Sequence, residues 1–202
     1  MLIDEARWIG RHLAERPPAE VYPLCNVGSS TADFRSREQP WIDEFVFGHA
    51  KGGGHAVIHV DQKNADGVDL AGDLLDPAFR ASLRELSPRT ILCSNLLEHV
   101  TDRGPITEAL TNMLVPGGRL IVTVPYHYPV HHDPIDTRFR PTVEQLAAEF
   151  PKLRLVTGEI VVDSTGWRYM RIRRSVPGIR HWGWLLIGRR YKVSCVILEA
   201  TS

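Results

Sequence analysis

Apolar positions along the first fifteen residues recur at helical spacing: Leu2, Ile3, Ala6, Ile9 and Leu13. Pro17-Pro18 closes the stretch, so a helix is predicted over 2–15. The pattern then shortens to apolar runs bounded by small and polar residues. Strands are predicted over 20–27, 55–60, 68–71, 89–94 and 119–124, and helices over 40–50, 78–86 and 104–115. Gly28-Ser29-Ser30-Thr31, Lys51-Gly52-Gly53-Gly54 and Pro116-Gly117-Gly118 punctuate them. After Pro141 a helix is expected over 142–150, capped by Thr142 and with Glu144 in its first turn. Two further strands follow over 153–162 and 191–199. Apolar strands alternating with helices describe an α/β fold, Rossmann-like and doubly wound: a mostly parallel sheet, covered on both faces, with an antiparallel final strand.

Length and composition fit that picture. The chain has 202 residues, 43% hydrophobic and 24% charged, which excludes disordered and collagen-like classes. One domain is expected: a helix in 1–18, a core over 19–162, and a segment over 163–202 that completes the sheet. There is no basic start followed by an apolar run, and no stretch long enough to span a membrane as a helix. Cys25, Cys93 and Cys195 are odd in number and each lies in an apolar run. Free buried thiols and a cytoplasmic location are the expectation.

The charge pattern changes the picture more. The formal net charge is zero, but residues 164–192 hold Arg168, Arg171, Arg173, Arg174, Arg180, Arg189, Arg190 and Lys192 and no acid. Trp167, Tyr169, Trp182, Trp184 and Tyr191 are interleaved with them. This arm suits an anionic substrate or a membrane headgroup. It equally suits a sheet edge packed on the core or on a partner subunit. No nucleic-acid-binding motif is present, so nucleic acid is not an expected partner.

In an open α/β sheet, ligands bind beyond the carboxyl ends of the strands. The residues there are Asn26, Gly28, Ser29 and Ser30 after the first strand, Asp61 after the second, Asp73 and Leu74 after the third, and Asn95 after the fourth. A glycine lets the backbone approach a ligand closely, and a carboxylate after the second strand can accept two hydrogen bonds from a ribose diol.

With Asn95-Leu96-Leu97-Glu98-His99-Val100 and the run Leu114 to Pro125 around Pro116-Gly117-Gly118, these residues resemble the class I S-adenosylmethionine-dependent methyltransferases that act on small molecules. The likeness covers roughly 20–160. It implies S-adenosylmethionine as cofactor, lying over Gly28 with Asp61 on its ribose and Asp73 near its adenine. Two features depart from the family pattern. Asn26 stands where an acid is usual and Ser30 where a second glycine is usual. The interval from Gly28 to Asp61 is also long. The run His131 to Thr142 resembles a subset associated with surface-glycan and natural-product clusters. The expected reaction is therefore methylation of an unidentified small-molecule acceptor at oxygen. The runner-up is a non-catalytic protein of the same fold that binds a nucleotide, glycan or protein. A nicotinamide dehydrogenase is weaker, since the first turn lacks the full Gly-x-Gly-x-x-Gly pattern.

His127, His131, His132, Asp133 and Asp136 follow the fifth strand. A histidine titrating near neutrality suits removal of a hydroxyl proton. His131 and His132 lead as catalytic candidates, ahead of His127. Imidazole with carboxylate could also ligate a metal through His131, Asp133 and Asp136. No separate ligand pair completes that set, so no metal is expected. A structural lid, with Asp136 paired to Arg138 or Arg140, is the competing reading, and His99 is read as structural.

Overall fold

A computed structural model describes residues 1–131, 135–163 and 190–201. Most of the basic arm, together with His132 and Asp133, lies outside the described residues. Helix α1 (Ile3–Ala14) and the short α2 (Pro18–Val21) precede strand β1 (Leu24–Val27). Helix α3 (Gly48–Gly53) leads to β2 (Val57–Asp61) and β3 (Leu70–Ala71). Next come α4 (Pro77–Glu85), β4 (Thr90–Ser94), α5 (Arg103–Met113) and β5 (Arg119–His127). The chain ends in α6 (Val143–Ala148), β6 (Leu153–Val162) and β7 (Lys192–Ala200).

The sheet order is β3-β2-β1-β4-β5-β7-β6. Strands β1 to β5 are parallel, and β7 runs antiparallel between β5 and β6. The chain thus has the expected Rossmann-like architecture. Between β1 and β4 the winding reverses, which opens a crevice at their carboxyl ends.

Alternation along the strands explains why both faces are buried. Leu24, Leu92, Ile121 and Cys195 point to one side, where Ile3, Ala6, Trp8, Ile9 and Leu13 of α1 cover them. Cys25, Ile91, Cys93, Leu120 and Val122 point to the other, against Leu83, Leu110, Met113 and Phe150. All three cysteines are buried free thiols, and burial pushes the Cys25 thiol up to about 12. Among the described residues no helix is long and apolar enough to cross a membrane.

Four boundaries differ most from the sequence expectation. Residues 18–21 form a helical turn, not the start of β1, because Pro18 at its first position is preset for helix. The helix expected over 40–50 is a wide i→i+5 turn, Ile42–Val46, followed by α3. Its buried pairs, Trp41 with Val46 and Ile42 with Phe47, are five residues apart, a spacing that the wide turn places on one face and an α-helix does not. The third strand shrinks to two residues, while β5 continues three residues past Val124.

Close packing of α1 on this turn yields a stability prediction. A Cβ on Gly10 would run into the backbone carbonyl of Phe45. Gly10→Ala is expected to destabilise the protein by about 1–3 kcal/mol, the range for overpacking. Gly52 in α3 has open space around it, so Gly52→Ala is expected to stabilise by up to about 1 kcal/mol. Paired thermal denaturation curves read the opposite signs.

Candidate active site

The crevice holds a cavity of about 760 Å³. Asn26, Gly28, Ser29, Ser30, Asp61, Asp73, Leu74 and Asn95 all line it, and so does His131. A sheet that reverses its winding between β1 and β4 brings these strand ends to one place, although they span seventy residues of sequence.

The turn after β1 is built from backbone constraints. Gly28 adopts a φ of 71°, where a side chain would be strained. The amides of Gly28 and Ser29 both donate to the Val60 carbonyl, at 2.9 and 3.0 Å. Ser30, also at positive φ, donates its amide to Asp61 Oδ2 at 2.8 Å. Asp61 Oδ1 accepts from the Lys63 amide at 3.1 Å. The buried Arg35 completes the turn: its guanidinium donates to the carbonyls of Ser29, Ser30 and Gly67 at 2.7–2.9 Å. A side chain from the excursion between β1 and β2 therefore braces a turn that has one glycine where the family pattern has more. Sequence reading missed Arg35, which looks like any surface arginine until its three acceptors are seen.

Asn26 is buried, with its Nδ2 3.1 Å from His59 Nδ1. Burial, followed by the nearby Arg35, lowers His59 to about 4, so Asn26, which lines the cavity, is backed by an uncharged imidazole. Asp73 is exposed and accepts from the Leu75 amide at 2.8 Å, while the helix cap of α4 is Asp76. Asn95 has a φ of 51° and donates to Glu5 Oε1 at 2.8 Å. Glu5, a fully buried acid on α1, also lines the cavity and was not foreseen.

Opposite the β1 turn, the segment after β5 folds onto the short turn Leu97–His99. The Thr137 amide and hydroxyl both donate to the Glu98 carbonyl at 2.9 Å, and His99 Nδ1 donates to the Ile135 carbonyl. His131 packs edge-on to both His99 and Tyr128, with ring centroids 5.1 and 5.4 Å apart. Burial lowers the His131 pKa, which favours the neutral imidazole. Arg140 grips Asp136 through both nitrogens, at 2.6 and 3.1 Å. Burial raises the Asp136 pKa, but Arg140 and two backbone amides outweigh it and hold the carboxyl well below the usual range. The pairing expected of Asp136 is thus present, with Arg140 as partner, while Arg138 contributes only its amide, at 2.8 Å.

His127 does not line the cavity; its Nδ1 lies 3.2 Å from the Arg190 carbonyl, beside an irregularity in the β5–β7 register. His132, the third catalytic candidate, lies outside the described residues.

No protein-family model and no curated protein sequence matches the chain. Solved structures do. A geranyl diphosphate C-methyltransferase from Streptomyces coelicolor superposes with a TM-score of 0.58 at 14% identity, over 98% of this chain and 77% of that one. A SAM dependent methyltransferase from Archaeoglobus fulgidus gives 0.53 at 12%, over 96% and 94%. The cyclase SpnF gives 0.52 at 14%, over 96% and 80%. With its strand order and the crevice at the β1–β4 reversal, the chain has the fold of the class I S-adenosylmethionine-dependent methyltransferases.

Proposed function

We propose that the protein is an S-adenosylmethionine-dependent methyltransferase that methylates a small molecule at oxygen, with a glycan- or natural-product-type acceptor. One observation carries this reading: the eight strand-end residues and His131 meet in a single cavity of about 760 Å³, within the size range of cofactor sites. The residues present suit the cofactor. Gly28 offers close backbone approach, Asp61 keeps lone pairs for a ribose diol, and Leu74 beside Asp73 offers an apolar face with a polar edge for adenine.

When bound, the cofactor supplies a methyl group already activated on a sulfonium. What remains for the protein is to orient the acceptor, exclude water and take up a proton. His131 and Tyr128 stand on the acceptor side of the cavity. His131 is the proposed base, and Ile135 lines the wall beside it. Among the neighbours, the geranyl diphosphate enzyme was solved with its small acceptor and S-adenosyl-L-homocysteine, which supports a small-molecule acceptor here.

The non-catalytic alternative keeps one observation in its favour: Asn26 stands where the family pattern has an acid and Ser30 where it has a second glycine, and the fold does not by itself specify methyl transfer. Calorimetric titration with S-adenosylhomocysteine, followed by turnover assays on hydroxylated small molecules, separates the two. Binding with turnover is expected, and His131→Ala should lower turnover by about 10²-fold or more, the scale of general-base catalysis, with little change in cofactor affinity. Absence of cofactor binding would overturn the proposal. Binding without turnover on any acceptor would favour the alternative.

A further inference from the structure

The acceptor end of the cavity contains a group that the proposed chemistry does not use. Glu98 is fully buried and lines the cavity. Among the described residues, neither of its carboxylate oxygens has a hydrogen-bond partner. Buried polar atoms are almost always partnered, so an orphaned carboxylate calls for an explanation. His99 and His131 lie beside it, and one ligand atom from each of the three residues falls within 4.8 Å of the others.

The histidines are arranged as metal ligands usually are. His99 Nδ1 donates to the Ile135 carbonyl, which places its lone pair on Nε2, 3.8 Å from Glu98 Oε1. His131 Nδ1 faces two acceptors, the Pro129 carbonyl and Asp136 Oδ2, each at 3.4 Å. An imidazole with one nitrogen held by a carbonyl or carboxylate oxygen presents the other, unprotonated, to a metal. Asp136 is fixed in turn by Arg140. Ligand atoms about 2.1 Å from a common metal lie within about 4.2 Å of each other. At the tetrahedral angles of such a site the ligand atoms lie about 3.4 Å apart; the His99–Glu98 separation of 3.8 Å is close to that, and the set closes on a metal by side-chain shifts on the order of 1 Å.

We propose that Glu98, His99 and His131 form a binding site for a divalent transition metal of the zinc or iron class. Two imidazoles and one carboxylate leave coordination positions open, and all three residues line the cavity. Resting on the methyltransferase reading, the site's ligand from solution is an oxygen of the acceptor, a hydroxyl or a vicinal pair of them. Metal coordination lowers the pKa of a bound hydroxyl, so with the metal in place the hydroxyl releases its proton to solvent water, and His131 serves as a metal ligand in place of its role as base.

The test uses the full chain, stripped with chelator and dialysed against zinc alone, with metal content read by elemental analysis. Cobalt substitution gives an independent readout through its visible absorption. One metal per chain is expected, with intense absorption bands of low-coordinate cobalt. Glu98→Gln keeps shape and volume, and should weaken binding by about 100-fold or more, above the loss caused by disturbing an outer-shell partner. His99→Ala should do the same. Fewer than one metal per several chains, or equal binding by wild type and both variants, would overturn the site. S-adenosylhomocysteine titration on the same samples keeps the two readings apart. Cofactor binding without metal sinks only the metal site; metal without cofactor binding sinks the methyltransferase reading and leaves the metal site standing.

Discussion

Replacing Asp61 with alanine is expected to weaken S-adenosylhomocysteine binding by at least about 100-fold and to leave the protein folded. The carboxylate closes β2 at the cavity rim. One oxygen accepts from Ser30 and the other from Lys63, each from a backbone amide. An ionised carboxylate offers about four acceptor positions, so about two remain for the hydroxyls of a ribose. Hydrogen bonds to a charged group contribute about 1.5–3 kcal/mol each. Losing two gives about 3–6 kcal/mol, and every 1.4 kcal/mol is tenfold in affinity. The variant also frees Ser30, loosening the turn on which Gly28 depends. Asp61→Asn keeps one acceptor oxygen and should fall between wild type and alanine. Asp73→Ala should cost much less, because that carboxylate is exposed and its interactions are screened by water. Calorimetry on the three variants, with melting curves as a control for folding, checks the ranking. Wild-type affinity in Asp61→Ala would remove the ribose assignment.

The strand-end residues were legible in the sequence because the fold makes them so. Each parallel strand is a short apolar run that stops where the sheet meets solvent, and the first polar residues after it necessarily line the crevice. Gly28 and Asp61 could be placed in this way from chain order alone. The side of the cavity lined by Glu98, His99 and His131 was not legible, because its members meet by docking rather than by strand order. Glu98 and His99 sit on a turn after β4, and His131 reaches them only when Thr137 and Ile135 bond to that turn. Nothing among the sequence neighbours of His99 reveals its contact with His131. His127 was misplaced for a simpler reason. Strand β5 continues to that residue, so the histidine belongs to the sheet edge beside β7 and not to the loop beyond it. Arg35 and the wide turn Ile42–Val46 were hidden by the length of the excursion between β1 and β2, where no periodic pattern indicates which side chain turns inward.

Glu5 supplies the second large effect. Nothing in Ile3-Asp4-Glu5-Ala6 marks it as different from Asp4, yet it is fully buried and Asp4 is not. The Glu5 side chain accepts from the Leu2 amide at 2.7 Å, Ser94 Oγ at 3.1 Å, Asn95 Nδ2 at 2.8 Å and Thr123 Oγ1 at 2.6 Å. It therefore caps α1 and ties that helix to the ends of β4 and β5. Glu5→Ala strands four donors. Ser94 and Thr123, already 2.7 Å apart, can share one bond, and Asn95 Nδ2 keeps Ser94 Oγ at 3.2 Å, which leaves the Leu2 amide and the proton of one hydroxyl without an acceptor. At about 1–3 kcal/mol for each buried unsatisfied group, and with a cavity where the side chain stood, a loss of about 3–5 kcal/mol is expected. In a chain of this size that corresponds to a fall in Tm of at least about 6 °C. Asn95 would also lose the partner that holds it at positive φ on the cavity wall, so cofactor affinity should fall with stability. Glu159→Gln is the comparison: it disturbs the single bond from Trp8 Nε1, at 3.0 Å, and should cost only about 1 kcal/mol. If Glu5→Ala melts no lower than Glu159→Gln, the helix is held by apolar packing and the buried carboxyl contributes little. A large fall in Tm together with weaker cofactor binding would show that one acid on the first helix both fastens it to the sheet and shapes the site.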